Sequence, residues 1–111
     1  MPHFVIDCSP DVIASIPVEI FIKEIFYSAA QTGLFDLDDI KVRLRPFEHY
    51  DVGNMRKDFI HVFAYIMEGR TTEQKADLSR RVVTKLKGIF PNVPVISMNI
   101  SEFEKATYCN L

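Results

Sequence analysis

The sequence lacks most of the signatures that tie a small chain to a familiar chemistry. Its two cysteines, Cys8 and Cys109, stand at opposite ends of 111 residues. That is no disulfide framework, and it reads as a reduced, cytoplasmic protein. Excess positive charge is missing too: a formal net charge of -2 argues against nucleic acid as a partner, because such domains are as a rule strongly basic. No apolar run approaches membrane-spanning length and no signal-peptide pattern is present, so no membrane partner is expected. His3, His49 and His61, taken with the cysteines, have no metal-ligand spacing, which argues against a metal site. There is no Gly-rich phosphate loop and no nucleophile elbow. Nor does any side chain stand out as a general base.

What is present is ordinary for a globular chain: 48% hydrophobic and 25% charged residues fit a single domain, 1–111, with its own core. Nine phenylalanines are many for this length, and several are expected in a subunit interface. The chain opens Met1-Pro2-His3-Phe4-Val5-Ile6-Asp7-Cys8. Residues 3–8 alternate, with Phe4, Ile6 and Cys8 on one face of a strand. Ser9-Pro10-Asp11 breaks it. From about Ser15 to Thr32 the period becomes helical, with a stripe of Val18, Phe21, Ile22, Ile25 and Ala29. Pro17 sits in the first turn and Gly33 beyond the last. Ile16, Ile20 and Phe26 lie outside the stripe, so this helix is expected to pack on more than one side.

Residues 40–45 form a second strand, with Ile40, Val42 and Leu44 opposite Lys41, Arg43 and Arg45. A loop or hairpin turn follows Pro46, around 49–54. A third strand, 58–67, is apolar on both faces, so it is expected in the centre and covered on both sides. Thr71 with Gln74 makes a capping box for a second helix, whose stripe is Leu78, Val82 and Leu86. Gly88 to Pro91 stops it. Residues 93–100 give a fourth strand with Pro94 marking an edge, and the tail 102–111 reads as a short edge strand or an arm onto a neighbour. The order is two consecutive β-α-β units, about 2–45 and 57–101. It predicts an α/β (α+β) chain: a four-stranded mixed sheet with two helices on one face. The other face, with its layer of Phe, Tyr and Met, points to oligomerisation. A ferredoxin-like domain has the same element order; it would place the third strand beside the first and leave Pro2 with no special environment.

Chemistry concentrates in the basic residues. Lys41, Arg43 and Arg45 share one strand face, where like charges repel unless solvated or matched by an anion. One reading is a charged edge strand that resists aggregation; the other is a carboxylate site, since guanidinium groups grip planar anions bidentately. Arg70 lies between a strand end and a capped helix N-terminus, a place that favours anions, although an exposed loop arginine is equally ordinary. Asp7 and Asp58 are candidate partners for the basic row. Cys8 reads as core and His61 as a structural residue. The missing base has one substitute. If Met1 is removed, Pro2 presents a secondary amine at a strand start that cannot fray; the plain alternative is a proline tolerated at a strand's first residue.

Pro2-His3-Phe4 with Cys8-Ser9, Thr32-Gly33-Leu34-Phe35, Ile40-Lys41-Val42-Arg43 and Gly69-Arg70-Thr71 together resemble the 5-carboxymethyl-2-hydroxymuconate isomerase family of the tautomerase superfamily. The resemblance runs over nearly the whole chain, in order. It implies a homotrimer whose sheets pack into a central barrel, and aromatic-acid catabolism as the setting. Pro2 would be the general base, moving a proton from the 2-hydroxyl of a dienol acid to carbon, with no metal or organic cofactor. Arg43 and Arg70 match family arginines that bind carboxylates and stabilise charge developing on oxygen. Lys41 falls where the family has arginine, which keeps the charge and loses the bidentate grip. Arg45 shares that face without a family counterpart. A free α-amino group titrates at about 7.7–8.0, so a base at neutral pH needs burial and nearby cations to lower its pKa. With Met1 retained Pro2 is an amide; the same fold would then serve as a catalytically silent ligand-binding or interaction protein.

Overall fold

A chain end normally frays, but here it enters the middle of a sheet. In the computed structural model, which describes residues 1–111, β1 (His3–Cys8) pairs in parallel with β2 (Lys41–Pro46) on one side. On its other side it pairs antiparallel with β3 (Phe59–Met67). β4 (Val95–Phe103) adds to β3 in parallel, giving the order β2-β1-β3-β4. The third strand therefore does lie beside the first, the feature assigned above to a ferredoxin-like sheet. It does not discriminate. What sets this sheet apart is that β1 and β2 pair directly and in parallel, so each β-α-β unit closes on itself.

Three helices accompany the sheet: α1 (Pro10–Ser15), α2 (Val18–Ala30) and α3 (Thr72–Ile89). The short α1 stands where a simple break was expected. Pro10 pre-sets φ at the first helical position, and Ser9 is fully buried. The Ser9 hydroxyl donates to Asp58 Oδ1 at 2.9 Å and accepts from the Phe59 N–H at 3.1 Å. Val12 is then carried into the core at 2% exposure. Extended backbone at Ile16 and Pro17 separates α1 from α2, which is why the long helix begins at Val18 rather than Ser15. The cap on α3 forms as its sequence dictates: Gln74 N–H donates to Thr71 Oγ1 at 3.1 Å, and Thr71 N–H to Gln74 Oε1 at 2.9 Å.

One face of the sheet is sealed by these helices. Phe4, Ile6, Cys8, Ile60, Val62 and Ala64 join Phe21, Ile25 and Ala29 of α2 and Leu78, Val82 and Leu86 of α3 in a single buried cluster. Of the three residues outside its stripe, Ile16 and Phe26 pack against this core partly buried, whereas Ile20, like Tyr27, stays about half exposed, so the second-side packing of α2 is made in part.

The other sheet face is more polar than expected. Phe59, Phe63, Tyr65 and Met67 are only half-buried there, rather than covered. Register places Lys41, Arg43 and Arg45 along one edge and Ser97, Asn99 and Ser101 along the other. One polar row across all four strands reads Arg45, Asp7, His61, Ser97. His61 is the structural residue expected, its ring nitrogens 2.6 Å from Ser97 Oγ and 2.7 Å from Asn99 Oδ1.

The C-terminal segment divides in two. Residues 101–103 extend β4. Beyond them the chain makes contacts within its own fold: Lys105 N–H donates to Glu68 Oε2 at 2.5 Å, Tyr108 packs on Phe103 at 4.9 Å, and Asn110 Nδ2 lies 3.8 Å from Met1 Sδ. Because one buried hydroxyl joins β1, α1 and β3, Ser9→Ala should lower the unfolding free energy by about 1–3 kcal/mol, the cost of stranding buried partners. Urea denaturation of that variant beside Asp58→Asn, which keeps a side-chain oxygen to accept from Ser9, will check it; the second should lose clearly less.

Candidate active site

Parallel pairing of β1 with β2 fixes the geometry around Pro2. The Lys41 N–H donates to the Pro2 carbonyl at 3.1 Å, and the Pro2 side chain is fully buried. Two loops close on the same end of the sheet. In the first, Gly33 takes a left-handed φ of 73°, while Thr32 Oγ1 donates to the Ala29 carbonyl at 2.6 Å and accepts from Leu34 N–H at 3.2 Å. That turn aims the Leu34 carbonyl at Arg70, whose Nη2 donates to it at 2.6 Å while Nη1 donates to the Met67 carbonyl at 3.3 Å. The Arg70 guanidinium also lies 5.1 Å from the centre of the Phe35 ring. Arg70 is thus a half-buried clamp between the loops, not a free surface arginine. Gly33, Leu34, Glu68, Gly69, Arg70 and Gln74 line an open cavity of about 390 Å³.

The electrostatics of the chain terminus follow from this packing. Burial lowers the pKa of the terminal amine, carried here by Met1, below its ordinary value. Asp39 opposes the shift; Lys41 and Arg70 reinforce it; Asp36 opposes it again. Desolvation therefore leads, and the two cations expected to act are offset by two carboxylates that the sequence reading missed. The acidic stretch Asp36-Leu37-Asp38-Asp39 directly before β2 was the available signal. Its proximity to the amine becomes visible only once His3 is known to pair with Lys41.

The basic row is drawn apart by its strand. Lys41 Nζ donates to the Asp39 carbonyl at 3.0 Å and sits at the proline end. Arg43, two register pairs further on, has its Nη1 3.1 Å from His3 Nδ1. Arg45 lies about 13 Å from Lys41 along the strand at ~3.3 Å per residue, and is engaged by Asp7 at 2.7 Å. Lys41 and Arg70 therefore meet at the amine, Arg43 flanks them and Arg45 stands away. Asp7 does join the basic row; Asp58 does not, because it accepts from Ser9 at the opposite end of the sheet. A smaller cavity of about 210 Å³ lies there, bounded by Asp11, Asp58 and the end of α3. Cys8 is core: burial pushes its thiol up to about 11.

A family model described as 5-carboxymethyl-2-hydroxymuconate isomerase matches residues 2–110. The chain belongs to that family. Among solved structures it is similar to a 5-carboxymethyl-2-hydroxymuconate isomerase from Deinococcus radiodurans, at 20% identity, TM-score 0.82, covering 99% of this chain and 88% of that one. It is also similar to Pt0534 inactivated by 2-oxo-3-pentynoate, at 17% identity, TM-score 0.86, covering 97% and 90%. A fused 4-OT wild-type asymmetric trimer is a third, at 12% identity, TM-score 0.75, covering 97% and 91%. At these identities the likeness is one of fold. No curated protein matches the sequence. In this member of the isomerase family, Thr32-Gly33-Leu34-Phe35 and Gly69-Arg70-Thr71 are the two halves of one clamp beside the chain terminus.

In the chain that keeps Met1, the α-amine should titrate below its ordinary value. Arg70→Ala should move it up by removing a cation, and Asp39→Asn should move it further down by removing a carboxylate. The pH dependence of α-amine acylation, resolved from lysine by peptide mapping, reads both shifts. An amine that titrates alike in all three proteins removes the electrostatic role of both residues.

Proposed function

We propose that this chain is a cofactor-free isomerase in which the Pro2 secondary amine, freed by removal of Met1, is the general base. The observation that carries the reading is the placement of Pro2. Its ring is fully buried and its carbonyl locked to β2, at the one end of the sheet where Lys41 and Arg70 act on the terminal amine. The substrate is an unsaturated 2-hydroxy (dienol) acid such as 5-carboxymethyl-2-hydroxymuconate. The neutral amine takes the proton of the 2-hydroxyl, the electrons of the O–H bond form the keto carbonyl, and the diene shifts toward the distal carbon. The same nitrogen returns a proton to that carbon, so the proton inventory closes without metal or organic cofactor.

Burial favours the neutral base, and the cations stabilise the dienolate that forms when the 2-hydroxyl is deprotonated. Arg70 and Arg43 are assigned to substrate carboxylates, with Lys41 as a point charge beside the amine. Arg45, neutralised by Asp7 and far along β2, is left without a substrate role. The working form is a homotrimer in the cytoplasm whose open sheet faces turn inward. Half-buried Phe63, Tyr65 and Met67 support that, as does the likeness to a fused 4-OT trimer. Its setting is the breakdown of aromatic acids.

Intact mass comes first, because a chain that retains Met1 carries an amide at Pro2. On a 2-hydroxymuconate-type dienol the Met1-free protein should exceed the Met1-retaining one in kcat/KM by about 10²–10⁴, the usual worth of a positioned base. Pro2→Ala, which keeps a primary amine in place of the secondary one, should fall between them. The enol of 4-hydroxyphenylpyruvate serves as the simpler comparison substrate. Full activity in a protein verified to retain Met1 ends the mechanism. Dicarboxylate binding without turnover in the Met1-free protein makes this a binding protein on the same fold.

A further inference from the structure

We propose that His3 is a positioning residue: its neutral imidazole accepts from Arg43 and holds that guanidinium ready for a substrate carboxylate. The inference rests on the isomerase reading for the substrate, and on geometry for the rest. The three cations of β2 are restrained differently. Arg45 is neutralised by Asp7 at 2.7 Å, and Lys41 is tied to the Asp39 carbonyl at 3.0 Å. Arg43 alone is held by an uncharged ring, with Nη1 3.1 Å from His3 Nδ1. A guanidinium donates and never accepts, so Nδ1 must carry the lone pair and the ring proton sits on Nε2. Arg43 is thereby oriented while its positive charge stays uncompensated, which is what an anion grip requires.

The ring is itself held in place. His3 meets Phe103 edge-on at 5.9 Å between ring centres, and Phe103 is packed against Tyr65 and Tyr108. The groups facing His3 keep it neutral. Burial is the first cause of its lowered pKa, reinforced by Arg43 and Lys41 from β2 and by the terminal amine of its own chain end. From β3 its register partner is Tyr65, and from β4 it meets Phe103. As pH falls through that lowered pKa the imidazole gains a proton, Nδ1 becomes a donor, and two cations face each other. Arg43 should then lose its orientation, and carboxylate affinity should fall in a window below about pH 6.5, the ordinary value for histidine.

The test uses the Met1-free protein with two readouts: turnover of a 2-hydroxymuconate-type dienol, and calorimetric binding of cis,cis-muconate, a dienedioic acid with no 2-hydroxyl to isomerise. His3→Leu should raise KM and the muconate Kd by about tenfold, in line with losing a hydrogen bond to a charged group, with kcat changed much less. His3→Gln, whose side-chain oxygen can replace Nδ1 as acceptor, should recover most of the affinity and abolish the acid weakening below pH 6.5. In an Arg43→Ala background His3→Leu should cost nothing more, because the pair acts as one unit. Unchanged KM and Kd in His3→Leu, with turnover intact, overturn the positioning role and leave the isomerase reading standing. Muconate affinity that falls as predicted, in a protein without turnover, sustains the positioning and removes the isomerase. A protein that neither turns over the dienol nor binds muconate overturns both.

Discussion

Everything at the proline end depends on hydrogen bonds that most chains never make at their first residues. The Lys41 N–H bonds the Pro2 carbonyl, and β1 is paired along both sides from His3 to Cys8. A terminus caught between two strands gives up its conformational freedom in the folded state, and the cost is met by the core beneath it rather than by the terminus itself. With the first residues fixed, side chains from β2, from the loop after α2 and from the turn before α3 can all be placed against them. A frayed terminus would have no neighbours to be tuned by.

The loops that supply those neighbours are short and braced. Thr32 folds its own hydroxyl back onto the helix end, and Arg70 is spent on two carbonyls before any ligand arrives. A guanidinium with two of its five donors engaged still has three to offer, and its direction is already chosen. Such pre-ordering removes part of the entropy that a flexible arginine would lose on gripping an anion. Carboxylates from Asp36 and Asp39 moderate the site, so its charges are mixed rather than uniformly positive.

Features set by near neighbours in the chain were legible in the sequence. The capping box at Thr71 needs only residues three apart, and the alternation of β3 needs only itself. Gly33 past the end of α2 announced its left-handed turn. What was illegible required register. Arg45 looks like Arg43 in the sequence, and only pairing across β1 gives one an aspartate and the other a histidine. Ser9 and Pro10 read as a break because the partner that makes Ser9 useful, Asp58, is 49 residues away. The open sheet face read as apolar because β3 is its richest strand, whereas the polar columns belong to the two edges.

The two ends of the chain meet, with Asn110 against Met1. A short linker from Leu111 to Pro2 would therefore close the backbone into a ring, and the exposed two-residue turn at Gly53-Asn54 is a natural place to open it again. Such a circular permutant would retain the sheet, the clamp and every charge beside the proline, yet contain no prolyl amine at all. Under the proposed mechanism, backbone connectivity, rather than any side chain, is the variable that fold and chemistry do not share.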